Sequence, residues 1–71
     1  MEIVDARGYS CPQPVIMTMS VINKIAKGNI TILVDTDTSK ENVIRAAISK
    51  GWNLDSIKED EGHYQVVISR A

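Results

Sequence analysis

Phenylalanine is absent from these 71 residues, and cysteine, histidine and tryptophan occur once each. A single cysteine cannot form an intramolecular disulfide. The lack of a Cys-x-x-Cys pair also excludes a self-contained dithiol cycle and a cysteine-based zinc finger. A small, unstapled chain with a free thiol suits a reducing compartment, so a cytoplasmic location is expected. The amino terminus has no long apolar stretch of the signal-peptide kind. Nowhere does the sequence approach the ~20 apolar residues that span a bilayer, so no membrane insertion is expected. Strong charge is missing too: the formal net charge is −1, with acids gathered at Asp35, Asp37 and Glu59-Asp60-Glu61 and the basic residues scattered. Nucleic-acid binding normally uses a concentrated basic face, and the sequence has none.

What remains is ordinary globular composition, 44% apolar and 24% charged, which argues against disorder. The length fits a single domain over residues 1–71. Its core must be thin, with a net stability of roughly 3–5 kcal/mol.

Hydrophobic periodicity gives the elements. Residues 2–5 read as a first strand. From Pro12 to Lys27, Val15, Met19, Ile22 and Ala26 fall on one helical stripe, widened by Ile16 and Ile25. Residues 29–35 alternate, with Ile30, Ile32 and Val34 on one face and Thr31 and Leu33 on the other. Thr38 and Glu41 form a capping-box pattern before a second helix that runs to about Lys50 and buries Val43, Ile44, Ala47 and Ile48. Residues 52–59 and 63–70 read as strands joined at Glu61-Gly62. The expected fold is an α/β two-layer sandwich of order β-α-β-α-β-β. Its sheet is four-stranded and mixed, with the first three strands parallel in direction, the last antiparallel, and both helices on one face.

Both prolines lie in the run Cys11-Pro12-Gln13-Pro14. Pro12 suits the first helical position, where its missing N–H costs nothing, and this makes Cys11 the expected N-cap. A sulfur there lies at the positive end of the helix dipole, which favours thiolate. With Pro14 in the third position, Gln13 N–H and Val15 N–H are the donors left to face it, and Arg7 adds positive charge from the same loop. Asp35 and Asp37, at the end of the second strand, oppose ionisation. The sequence leaves the sign of the net shift open. A lone cysteine is often just a small buried apolar residue, but a helix start flanked by Gly8-Tyr9-Ser10 and two prolines is a surface loop. On position alone, a reactive thiol and a small packing residue therefore stand as equal readings of Cys11. His63 beside the hairpin tip reads as solvated, the Asp35/Asp37 pair as helix-capping, and Trp52 and Tyr9 as packing residues, with Tyr9 also close enough to line a partner's docking surface. Met19 belongs on the core stripe, and Met17 with it offers an adaptable contact surface. No metal or other cofactor is expected.

At this point the sequence resembles a known family. Asp5-Ala6-Arg7-Gly8 followed by Cys11-Pro12-Gln13-Pro14-Val15 is similar to the TusA/SirA-like sulfur-carrier proteins and their Cys-Pro-x-Pro signature. Val34-Asp35, Lys40-Glu41-Asn42-Val43 with Arg45, Gly51 and a closing hairpin resemble the YedF-like branch associated with selenium metabolism. The resemblance spans essentially the whole chain and implies the same β-α-β-α-β-β sandwich. It further implies that Cys11 accepts sulfane sulfur as a persulfide and passes it on, with Asp5, Arg7, Gly8, Pro12, Gln13 and Pro14 shaping its loop. The implied partners are a sulfur-donor protein, either a cysteine desulfurase or a rhodanese-like protein, and a sulfur-acceptor protein, with a thiosulfate transporter as a further candidate. Where TusA proteins often carry a basic residue before the cysteine, a glutamate between the prolines and basic residues along the first helix, this chain has Ser10, Gln13 and Met17-Thr18-Met19-Ser20. YedF-like proteins are commonly longer, so the chain reads as a free-standing member or an excised domain. The competing expectation is a non-catalytic regulatory or protein-interaction module in which the motif only caps a helix.

Overall fold

The structure is a computed structural model that describes residues 2–10 and 12–71. Cys11, on which the sequence reading places the chemistry, lies outside the described residues.

The chain forms β1 (Glu2–Asp5), α1 (Gln13–Lys24), β2 (Gly28–Val34), α2 (Asp37–Ser49), β3 (Asn53–Asp60) and β4 (His63–Arg70). The strands make one mixed sheet in the order β1-β2-β4-β3. β1 runs parallel to β2, while β4 lies antiparallel between β2 and β3. The first three strands therefore share one direction, as the sequence implies, but β3 reaches that direction at the far edge, paired only to β4. Glu61 and Gly62 both have positive φ, 51° and 81°. Such a pair matches the twist of a tight two-residue hairpin and lets β4 fold straight back on β3.

Alternation on β2 and β4 builds the core. Ile30, Ile32, Val34, Val66 and Ile68 are fully buried beneath the helices, each contributing about 1.5–3 kcal/mol relative to exposure. Ile30 faces Ile68 and Ile32 faces Val66 across the pairing, so the β2 and β4 rows pack as one apolar surface. Val43 and Ala47 of α2, Ile22 of α1, and Trp52 close over it. The buried indole nitrogen of Trp52 has no hydrogen-bond partner among the described residues. β3 is exposed along its whole length. A register shift between Leu54 and Ser56 lets Leu54 and Ile57, three positions apart, pair with Ile68 and Val66 on the helix-facing side.

The helices differ from the sequence reading in detail. α1 stops at Lys24, short of the expected Lys27, because Ile25 turns to extended backbone and packs against the core; Gly28 opens β2. The buried positions of α1 are Pro14, Thr18 and Ile22. Val15 and Met19 flank that stripe half-buried, Ile16 is 54% exposed, and Ala26 lies beyond the helix in solvent. A threonine can hold the central core position because its Oγ1 donates to the Pro14 carbonyl at 2.9 Å, so the hydroxyl is buried without being orphaned. In α2 the cap is Thr36, whose Oγ1 accepts Ser39 N–H at 3.1 Å. The helix thus starts before Thr38, which leaves the anticipated Thr38–Glu41 box inside its first turns. Ile48, expected in the core, is 57% exposed.

Candidate functional site

Parallel pairing of β1 and β2 brings the loops that follow them to one edge of the sheet. Both helices begin at that edge, α1 at Gln13 and α2 at Asp37, so two helix N-termini with their positive dipole ends converge there. Val34 pairs with Tyr64, which sets the start of β4 and the β3–β4 hairpin tip at the same edge. Residues 6–10, which precede the cysteine in the sequence, lie at this edge, with Gly8, Tyr9 and Ser10 beside Asp35 and the start of α2.

The backbone of this segment is closely accounted for. Ala6 N–H donates to the Leu33 carbonyl at 2.8 Å, extending the β1–β2 pairing by one residue. Arg7 N–H donates to Asp5 Oδ1 at 3.2 Å. Gly8 N–H donates to Asp35 Oδ2 at 2.8 Å, and Tyr9 N–H to the Ala6 carbonyl at 3.4 Å. Four successive amides thus each have an acceptor. The last of these bonds closes a turn from Ala6 to Tyr9 whose third residue, Gly8, has φ of 84°. Positive φ at that position is the requirement of a type II turn, which glycine meets without strain.

Asp5 and Arg7 form a bidentate pair, Nε to Oδ1 and Nη2 to Oδ2, both at 2.8 Å. The hydrogen bonds from Arg7 hold the Asp5 carboxyl down at about 2, and Asp5 in turn raises the guanidinium above its usual value. Arg7 is therefore committed to a neighbour, and the free positive charge anticipated for the loop is largely neutralised. Arg7, Leu33, Lys58, Asp60 and His63 line a hollow on the sheet face away from the helices. His63 is solvent-exposed, as expected, yet near enough to Asp5 to favour its charged form.

The start of α1 also departs from expectation. Pro12 is the N-cap, making no side-chain cap bond, and accepts the first helical bond from Ile16 N–H at 3.1 Å. Gln13 occupies the first helical position and Pro14 the second. Gln13 N–H, anticipated as a donor toward the sulfur, is held by the Ser10 carbonyl at 3.0 Å. Two prolines and one internally bonded amide leave this helix start poor in free donors. Tyr9 is half-exposed, not packed, and with Gly8, Ser10, Asp35, Thr36 and Thr38 lines a second hollow between the motif loop and the start of α2. Asp37 pairs with Lys40 at 2.9 Å. That hydrogen bond raises the Lys40 pKa, and the ammonium sits 4.9 Å from the centroid of the Tyr64 ring.

Asp5, Arg7 and Gly8 are thus brought together in one turn, with Pro12, Gln13 and Pro14 at the entry to α1. Sequence reasoning treated Asp35 as a helix-capping carboxylate and missed its bond to the loop; its place directly after β2, beside the residue that follows β1, was the available signal. Among the described residues, no group of three His, Cys, Asp or Glu side chains could hold a metal ion, and no helix is long and apolar enough to cross a membrane.

A family model described as Sulfurtransferase TusA matches residues 2–70. The chain belongs to the TusA family. The crystal structure of a SirA-like protein from Desulfitobacterium hafniense superposes with a TM-score of 0.91 at 33% identity, covering 100% of this chain and 99% of that one. Sulfur carrier protein TusA of Pseudomonas paraeruginosa is 30% identical over 63 residues, 87% of this chain and 80% of its own. The corresponding Pseudomonas aeruginosa protein matches to the same extent. The TusA-family assignment and the order of strands and helices agree with the sequence reading.

Proposed function

We propose that this protein is a sulfur carrier that holds sulfane sulfur as a persulfide on Cys11 and hands it to a partner protein. The single observation that carries the reading is the coincidence of a TusA-family match over residues 2–70 with the lone cysteine of the chain, directly before Pro12 in the sequence. In loading, the Cys11 thiolate attacks the terminal sulfur of a donor persulfide. A new S–S bond forms on Cys11, the donor's S–S bond breaks, and the donor cysteine leaves as thiolate. No net oxidant is required, and the same exchange in reverse order delivers the sulfur to an acceptor thiolate. A single cysteine suits a carrier, because no second thiol in the chain can resolve the persulfide into an intramolecular disulfide.

The partners are a sulfur donor of the cysteine-desulfurase or rhodanese class and an acceptor protein, with handling in the cytoplasm. The first helix, uncharged from Gln13 to Asn23 and carrying Met17 and Met19 half-buried beside exposed Ile16, offers a partner an apolar and adaptable flank. The capping-module alternative gains nothing from the helix start, where Pro12 is the N-cap and makes no side-chain bond. The test is intact-mass spectrometry after incubation with persulfide-loaded rhodanese or with a cysteine desulfurase and cysteine. A one-sulfur adduct is expected on the wild type and none on C11A; a wild type that stays unmodified with every donor refutes the reading.

A further inference from the structure

We propose that Asp35 is a positioning residue for the sulfur-bearing loop: its carboxylate, hydrogen-bonded to Gly8 N–H, fixes the turn that leads to Cys11 against the end of β2. The inference deepens the sulfur-carrier reading and rests on it for its functional arm, but the structural arm stands alone.

The geometry is specific. In the Ala6–Tyr9 turn, the turn's own bond uses Tyr9 N–H, so the Gly8 amide faces outward and needs an acceptor from elsewhere. Asp35 supplies it across 27 positions of sequence, at 2.8 Å, a length typical of charge-assisted bonds. Asp35 is free for this because α2 is capped by Thr36 and not by either aspartate, while Asp37 is engaged by Lys40. The neighbouring bonds, Asp5 to Arg7 and Tyr9 to Ala6, are internal to the segment. They define the shape of the turn but cannot anchor it. Ala6 is tied to β2 by the backbone, and Asp35 adds a tie one turn farther along, nearer the cysteine. A loop that must present one sulfur to two different partners gains from being held before either arrives, because misplacement by even an ångström slows group transfer steeply.

The experiment compares the wild type with D35N, which keeps an acceptor oxygen and removes the charge, and D35A, which removes both. Backbone order parameters for Gly8–Ser10 should stay near 0.85 in the wild type and D35N and fall below about 0.6 in D35A. Gly8 amide exchange should be about tenfold slower than in an unstructured chain for the wild type and D35N, a local protection lost in D35A. Sulfur loading from persulfide-loaded rhodanese at saturating donor should drop about tenfold in D35A and stay within about twofold in D35N. Unchanged order and exchange in D35A overturn the proposal, as does a D35N that behaves like D35A. If D35A does not fold, an unprotected Gly8 amide in the wild type overturns it and a protected one that persists in D35N upholds it. If the wild type takes no sulfur from any donor, the carrier reading fails while the order and exchange data still decide the role of Asp35.

Discussion

Around Asp5, a fork of two 2.8 Å hydrogen bonds from Arg7 decides the local electrostatics. A carboxyl held at about 2 is ionised throughout the physiological range, and its contribution to stability follows from linkage. The folded value lies below the unfolded one, so the contribution is complete above about pH 4 and is lost as pH falls toward 2. Because both partners are solvent-exposed, the gain is small and weakened by salt. An NMR titration should place the Asp5 midpoint near 2 in the wild type, and in R7A back in the ordinary range near 4; an unmoved midpoint in R7A means that the pair does not form in solution. The pair also commits the Arg7 guanidinium to a carboxylate of its own loop. With Asp35 beside the same guanidinium, the loop environment is less cationic than a count of its residues suggests.

The two helices begin at the same edge but are started by different means. α2 has a threonine cap with a side-chain bond, whereas α1 begins at a proline without one. Loss of a threonine N-cap costs about 1 kcal/mol. T36A should therefore lower stability in urea denaturation by about that amount, while T38A, exposed inside the first turn, should change it by less than about 0.5 kcal/mol. Equal effects, or the reverse order, would place the cap at Thr38 after all. In α1, donor groups that a serine- or aspartate-capped helix would present to an anion are missing at Pro12 and Pro14 and occupied at Gln13.

Over the whole molecule, stability rests on a single apolar layer between the sheet and two helices. A core Ile→Ala substitution costs about 2–5 kcal/mol, against a total of roughly 3–5 kcal/mol for a domain this small. I32A, at a fully buried position in the centre of the sheet, should consequently be largely unfolded at 25 °C by circular dichroism. I16A, on the exposed flank of α1, should stay within about 0.5 kcal/mol of the wild type. A folded, cooperative I32A would mean that the layer repacks more freely than its geometry implies. The same architecture explains how so thin a domain still presents a defined site. Parallel β1 and β2 deliver two loops to one edge, and β4, inserted between β2 and β3, returns the hairpin tip to it.

The order of elements, the hairpin at Glu61-Gly62, the apolar faces of β2 and β4 and the family resemblance were all legible in the sequence, because they depend on local periodicity, turn chemistry and motif spacing. The exact helix faces were not. Pro14 and Thr18 were left out of the apolar stripe, yet both are buried, and for Thr18 a hydroxyl satisfied by the preceding turn is as compatible with the core as a methyl group. Charge was misjudged for a related reason: counting Arg7 as a free cation ignores the carboxylate two residues away that the turn brings into register. Above all, the bond from Asp35 to Gly8 joins residues 27 positions apart. Sequence determined that a cysteine motif sits at a helix start; only the parallel pairing of β1 with β2, which sets their following residues side by side, decided which carboxylate holds that loop in place.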